Sequence, residues 1–460
     1  MKFTLRTLIV SLAISALATL SNAESAAPPE SMLTLADCIK LALKAAPELG
    51  EADGDIALAA SKLDEAKSYR FPQFELTAFI GPAPAATKDA VTPVFKTNEP
   101  LLRLNSLTWF TRTDATVIQP LYTFGKISES MKAATHGIEV DRSRKEQKAN
   151  EIVLKVNEYY SGLLLAREMK ELVLEVEGFL IRSREKAQKL LDQGSDTVDE
   201  MDLYKLDAFS GMATKYLEEA KKGEALALAA LRARLGLPVE FPIKTGNERL
   251  EIIDAEISPL ATYVENAKRR RPEFHQISEG LKARYALVEA AKANYYPDIF
   301  LGGFVSWAYA DERDRIQNPY IIDPFKHTSG GVALGARWKL DFGITDAKVA
   351  GERSQHNRLL NTKAFADTNV PLQVEKYYLD LVEAKNSANA TRNAYLNAKK
   401  WAVTAVANFD FGMGPAKDIF EALQAYSTMR ADYFRSVYNY RIAAANLDYA
   451  TNEPLRKNEK

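Results

Sequence analysis

Residues 151–180 read EIVLKVNEYYSGLLLAREMKELVLEVEGFL, in the middle of a run from Pro120 to Pro238 that holds no proline. Glu, Lys, Ala, Leu and Arg dominate, residues that lose little freedom in a helix. The same character extends from about Ser128 to Asp192, so the pattern predicts one unbroken helix there. At 1.5 Å per residue that is a rod of roughly 100 Å. Ile152, Tyr159, Ala166, Val173 and Leu180 fall seven apart, and Val156 and Leu163 continue as Met169 and Val176 after a one-residue slip. That spacing is a coiled-coil seam rather than the core stripe of a single domain. A rod of this length needs neighbours along all of it.

The chain has 460 residues, and its 61 acids almost cancel its 60 bases, so nothing marks nucleic acid as a partner. Residues 1–23 read as a cleavable secretory signal: Lys2 and Arg6, an apolar run from Leu8 to Leu20, then Ser21-Asn22-Ala23 as the cleavage site. The alternative is an uncleaved anchor, for which the apolar run is short. The single cysteine, Cys38, excludes an internal disulfide. It lies well past the cleavage point, where a lipid anchor would need it, and inside an amphipathic segment, Thr34–Ala45. The expectation is a small core residue in a protein that is not lipidated.

The chain repeats itself. Pro47-Glu48 and Pro272-Glu273 are each followed 25 residues later by a proline, Pro72 and Pro297. Downstream, Phe124-Gly125 answers Phe342-Gly343, and Gly194 and Gly412 each follow 69 residues after those glycines. Val156-Asn157-Glu158-Tyr159-Tyr160 matches Val374-Glu375-Lys376-Tyr377-Tyr378 in the same register. Each half therefore reads as helix, strand pair, very long helix, break and second long helix. The expected division is a signal over 1–23, a first repeat over 24–245, a linker or short equatorial structure over 246–258, a second repeat over 259–453 and a charged tail over 454–460. After Gly412 a second seam runs through Ile419, Leu423, Tyr426, Arg430, Tyr433, Val437, Tyr440, Ala444 and Leu447 in steps of four and three. Pro371 falls inside the second half's long helix and predicts a kink.

The strands, over about 73–80, 107–118, 298–309 and 331–340, alternate. Phe74, Leu76 and Ile80 share one face and Gln73, Glu75 and Thr77 the other. Trp109, Ala115 and Val117 oppose Arg112, Asp114 and Thr116; Leu301, Val305 and Trp307 oppose Asp298 and Ser306; Val332, Leu334 and Trp338 oppose Arg337. Their length suits tilted membrane strands. Trp109 and Trp307 near the loop ends and Trp338 near the helix end suit aromatic girdles at the two interfaces. A soluble sheet covering a core is the alternative, but the helices are committed to one another. The loops, Gly81–Arg103 and Ala310–Thr328, read as exposed tips.

Four strands cannot close a membrane barrel, and an open sheet in lipid leaves backbone groups unpaired. Several copies sharing one barrel resolve this, with the polar strand face lining a lumen and the helices prolonging the wall as a tube. The stoichiometry stays open on this reasoning.

The chain resembles the TolC-type outer-membrane efflux and secretion channels. The residues that carry the resemblance are Leu33-Thr34-Leu35-Ala36 with Leu41-Ala42-Leu43-Lys44-Ala45-Ala46-Pro47-Glu48-Leu49, the strand exit Pro120-Leu121-Tyr122-Thr123-Phe124-Gly125, the close Leu235-Gly236-Leu237-Pro238 and the duplicated plan. The resemblance implies a mainly α fold with a membrane β-barrel portion: a homotrimer with a twelve-stranded barrel, continuing into a periplasmic α-helical coiled-coil tunnel. It implies a passive duct in the outer membrane, joined through a periplasmic adaptor (a membrane fusion protein) to an inner-membrane pump of the RND, ABC or MFS type. The turns holding Gly194, Ser195 and Asp196, and Gly412, Met413 and Gly414, match the family's periplasmic tip, where the adaptor docks. Plain helix-capping turns would use the same glycines. Asp418 and Glu421 match the carboxylates that narrow the entrance, with Glu200 as counterpart in the first half; a solvated helix face is the alternative. Gly414 and Pro415 stand where the family carries a basic gate residue.

No phosphate loop, serine elbow or His-Glu-x-x-His is found. His136, His275, His327 and His356 are far apart and read as incidental surface residues. The expectation is no enzyme activity, no cofactor and no metal. A periplasmic coiled-coil adaptor and a stand-alone diffusion porin remain as rival functions.

Overall fold

The structure is a computed structural model of the chain and describes residues 33–85, 106–194, 198–243, 249–252, 256–314, 323–411, 413 and 415–454. The signal segment lies outside these. The elements are α1 (Leu35–Ala45), α2 (Pro47–Ser68), β1 (Gln73–Pro84), β2 (Leu107–Tyr122), α3 (Lys126–Asp192), α4 (Glu200–Leu235), α5 (Leu260–Arg270), α6 (Pro272–Lys292), β3 (Asp298–Ala310), β4 (His327–Arg337), α7 (Ile344–Asp410) and α8 (Ala416–Thr451). The halves match in order and in size: α3 and α7 each have 67 residues, α4 and α8 each 36.

The repeated landmarks have local causes. Pro47 and Pro272 each open a helix at its first position, where a missing N–H costs nothing. The Phe-Gly pairs are left-handed turns into the long helices: Phe124 and Gly125 lie at φ 48° and 96°, Phe342 and Gly343 at 40° and 121°. A non-glycine residue at φ near +100° is strained, so the glycine of each pair is required by the backbone. Gly236 ends α4 at φ 66°, and a Cβ there would come within 2.7 Å of Ala45 Cβ.

β1 to β4 form one antiparallel sheet in chain order. Among the described residues, its strands pack mainly on one another, with no helix laid across either face. The helices pair as coiled-coil hairpins, α3 with α4 and α7 with α8, and the wall runs α2, α3, α6, α7. The α8 seam is buried at Ile419, Leu423, Tyr426, Arg430, Val437, Tyr440, Ala444 and Leu447. Cys38 is buried in the cluster where α1 meets α3.

Several expectations need correction. In α3 the seam residues Ile152, Val156, Leu163 and Leu180 are buried as read, but Tyr160, Leu164 and Leu172 are buried where Tyr159, Ala166 and Val173 are only half-buried. α3 is packed from several sides by α2, α4, α6 and α8, so its contact stripe is broader than a two-helix seam. β2 runs on to Tyr122 through Pro120, tolerated because the pairing with β3 shifts between Pro120 and Tyr122. β4 is His327–Arg337, so Trp338 and Leu340 fall past its end. α7 continues through Pro371 as one helix, so the proline does not end it; a bend of the rod is a separate matter, since a proline deletes one backbone donor without ending a helix packed along its length. Within 246–258, Leu250 is buried in the same core cluster as Ile243.

Candidate functional site

Cross-strand pairing sorts the sheet's side chains onto two faces. Phe74 stands opposite Val117, Ala115 opposite Val305, Gly303 opposite Val332 and Leu301 opposite Leu334, so these residues, drawn from all four strands, share one surface. That surface is bare: Phe74 is 81% exposed, Ile80 75% and Val332 75%. Trp109 and Trp307 are exposed toward the loop end. Trp338 is exposed at the other end, where its indole N–H donates to the Tyr295 carbonyl at 3.1 Å. Phe71, Tyr122, Tyr296 and Phe342 are exposed at that same strand-helix junction. The sequence hid this cluster because each member closes a different strand or helix. An apolar patch of this extent on a water-facing surface marks a lipid or protein contact.

The opposite face carries Glu75, Arg112, Asp114, Asp298, Ser306 and Arg337, with Phe300 and Phe304 lying over the facing glycines Gly335 and Gly331. Asp114 accepts from Arg112 at 3.0 Å and from Ser306 Oγ at 2.5 Å. The loop between β3 and β4 is not simply an exposed tip. Arg313 and Asp323 form a buried ion pair at 2.9 Å, Arg313 also donates to the Pro84 carbonyl, and Phe325 sets its edge on Phe110. Most of the first loop lies outside the described residues.

This polar face continues into the concave side of the helical wall. One concavity is lined together by Gln73, Pro120, Phe300 and Arg337 of the sheet and by residues of α2, α3, α6 and α7. Lys126 Nζ lies 3.1 Å from Asp298, joining the start of α3 to β3.

The other ends of the long helices carry the remaining residues singled out in the sequence. Gly194 ends α3 at φ 70°, its N–H donating to Leu191; Ser195, Asp196, Gly412 and Gly414 lie outside the described residues. Met413 is 73% exposed. Glu200 opens α4 beside a capping box in which Asp199 and Asp202 bond each other's backbone N–H. Asp418 and Glu421 are exposed near the start of α8, and Glu421 lies 3.6 Å from Lys417.

The four histidines lie at or near the surface, and each has a neighbouring side chain. His136 meets Glu279 at 2.6 Å and His275 meets Ser143 at 2.9 Å, both tying α3 to α6. His327 meets Ser306 at 2.8 Å, and His356 sets its edge on Tyr285. Among the described residues no cluster of three or more His, Cys, Asp or Glu could hold a metal. No described helix is long and apolar enough to cross a membrane.

An open amphipathic sheet whose polar face runs into a helical trough has the form that one wall section of a pooled barrel and tunnel would require. Residues 263–453 match the outer membrane efflux protein family. The alkaline protease secretion protein AprF of Pseudomonas aeruginosa is 21% identical over 353 residues, covering 74% of this chain and 70% of the relative. The Campylobacter jejuni CmeC outer-membrane channel superposes with a TM-score of 0.73 at 16% identity, over 93% of this chain and 87% of that one. The open state of the Neisseria gonorrhoeae MtrE outer-membrane channel gives 0.72 at 14%, over 93% and 91%. Residues 263–453 thus carry the outer membrane efflux protein pattern, and the chain has the fold of the solved outer-membrane channels.

Proposed function

We propose that three copies of this chain pool their sheets into one twelve-stranded barrel, and that the trimer is the passive exit duct of a tripartite efflux or type I secretion system. The observation that carries the reading is the sheet itself: open at β1 and β4, apolar and uncovered on one face, polar on the face that continues into the trough. Lipid accepts the apolar face only if every edge N–H and C=O is paired by another strand. Trp109 and Trp307 would form the outer girdle and Trp338 the inner one, the latter joined by the exposed aromatics at the junction. A cleaved, unlipidated precursor fits this reading. No step of bond chemistry is assigned to the chain.

The turns at Gly194–Asp196 and Gly412–Gly414 would meet a periplasmic adaptor, and through it an inner-membrane pump. Copies of Asp418 and Glu421, with Glu200 nearby in the repeat plan, would ring the entrance and favour cations. The test is purification of the mature protein in mild detergent, its native mass, conductance in planar bilayers, and capture of cross-linked partners. A conducting trimer recovered with an adaptor supports the reading. A monomer that conducts nothing would end it, and a conducting trimer without adaptor or pump would favour the porin alternative. Replacing Asp418→Ala together with Glu421→Ala should lower the potassium-over-chloride permeability ratio about two-fold; an unchanged ratio removes these carboxylates from the entrance.

A further inference from the structure

The trough below the barrel is basic. Six lysine and arginine side chains line it against three carboxylates. Two of the cations are matched, Lys126 with Asp298 at 3.1 Å and Arg144 with Asp141 at 2.8 Å. Arg284 reaches Glu352 at 3.6 Å. Lys62 on α2, Arg358 on α7 and Arg337 at the end of β4 make no ion pair among the described residues, although Arg337 stands across the ladder from Asp298, which Lys126 holds; all three are exposed and line the concavity. The Arg337 guanidinium lies 5.8 Å from the centre of the Phe300 ring, and both line the concavity where sheet and helices meet. The one remaining lining carboxylate, Glu65, accepts a hydrogen bond from Tyr69 and has no cation bonded to it among the described residues. These charges project from three separate elements onto one surface, so they do not arise from a single basic helix turn.

We propose that this section of the bore selects anions and that the cargo of the duct is anionic: solutes bearing carboxylate, sulfate or phosphate groups. The inference rests on the trimeric duct described above. In such a trimer each unpaired cation recurs three times around one narrow lumen with low-dielectric walls. Such walls focus the field of like charges and raise the local concentration of counter-ions. The effect is strongest at low salt, since the Debye length is about 30 Å at 0.01 M and about 8 Å at 0.15 M. The entrance carboxylates belong to the far ends of the long helices, whereas these charges sit in the wall next to the sheet.

The experiment uses the full mature protein in planar bilayers under a potassium chloride gradient, with Asp418→Ala and Glu421→Ala present so that the entrance does not set the sign. The variant is Lys62→Gln, Arg337→Gln and Arg358→Gln combined, and the control is Lys62→Arg, Arg337→Lys and Arg358→Lys. The chloride-over-potassium permeability ratio should fall about two-fold or more in the glutamine variant and be kept in the control. Citrate, a small multivalent carboxylate, should block the parent current at lower concentration than the glutamine variant's. Equal ratios and equal citrate block in parent and glutamine variant would overturn the inference while leaving the duct standing. Absence of conductance in the parent would overturn the duct, and this inference with it. All three side chains are exposed, so trimer mass and circular dichroism verify that the variants assemble before selectivity is read.

Discussion

A Cβ on Gly335 would stand 2.6 Å from the Phe300 ring, and one on Gly331 3.2 Å from Phe304. The rings cover bare backbone on the neighbouring strand, which a larger residue cannot share. Gly335→Ala should therefore destabilise the sheet by about 1–3 kcal/mol, read as a lower melting temperature of the purified protein. Phe300→Ala in the same chain should restore part of it. Glu168 gives a pH-dependent case on the helical side. It is 5% exposed; burial pushes its carboxyl above the ordinary range, outweighing the 3.3 Å bond from the Leu250 N–H. The folded chain then holds this proton more tightly than the unfolded one. Its contribution is best below the ordinary value of 4.5 and is lost as pH rises through the raised folded value. Glu168→Gln should raise the melting temperature about 1–2 °C at pH 7.5 and give no gain at pH 4. A gain of equal size at both would assign the effect to packing instead. Neither site shows in the sequence, nor does the His136–Glu279 contact, whose partners are 143 residues apart. Side chains that depend on the third dimension leave no local trace. Cys38 was legible because its own helix stripe buries it.

At the scale of elements, periodicity told most where one neighbour dominates. The α8 seam reads correctly because its steps of four and three face a stripe made by α7 and α3. β4 was misplaced by about three residues because alternation alone continues through Trp338 and Leu340, while pairing with β3 ends opposite Asp298. What joins the two coiled-coil hairpins was not readable at all. Arg430 of α8 pairs with Glu175 of α3, Tyr426 Oη donates to the same carboxylate at 2.9 Å, and the guanidinium lies near the Tyr395, Tyr426 and Phe434 rings. Burial, reinforced by Glu175, pushes the Tyr426 phenol upward, so it stays a donor at neutral pH. Arg430→Met leaves Glu175 without its cation and should cost about 2–3 kcal/mol, below the figure for a fully buried pair because Glu175 keeps 36% of its side-chain surface. Thermal unfolding checks it. Arg430→Met with Glu175→Met should cost less than Arg430→Met alone; a double variant worse than either single would show that packing, not the pair, holds these helices.

For the whole molecule, duplication and amphipathic strands were enough to demand a shared barrel, but no residue pattern states how many copies share it. The geometry narrows where the copies meet. β2 and β3 are paired on both sides, so only β1 and β4 offer free edges, and closure must set β1 of one chain beside β4 of the next. Neighbouring strands lie about 4.8 Å apart, and directly opposed residues bring their Cβ atoms to about 4.5–5.5 Å, close to disulfide reach. In a Cys38→Ala background, Ala78→Cys on β1 can be combined in turn with Val332→Cys, Leu334→Cys or Ala336→Cys on β4, all on the apolar face. One of these registers should give covalent trimers on oxidation, each chain bonded to both neighbours, while the single-cysteine chains stop at dimers or monomers. A ladder stopping at two chains would place eight strands in the barrel and reduce the tunnel to two wall sections. Monomers in every register would mean that β1 and β4 never meet, and the uncovered apolar face would then need a partner other than a second copy.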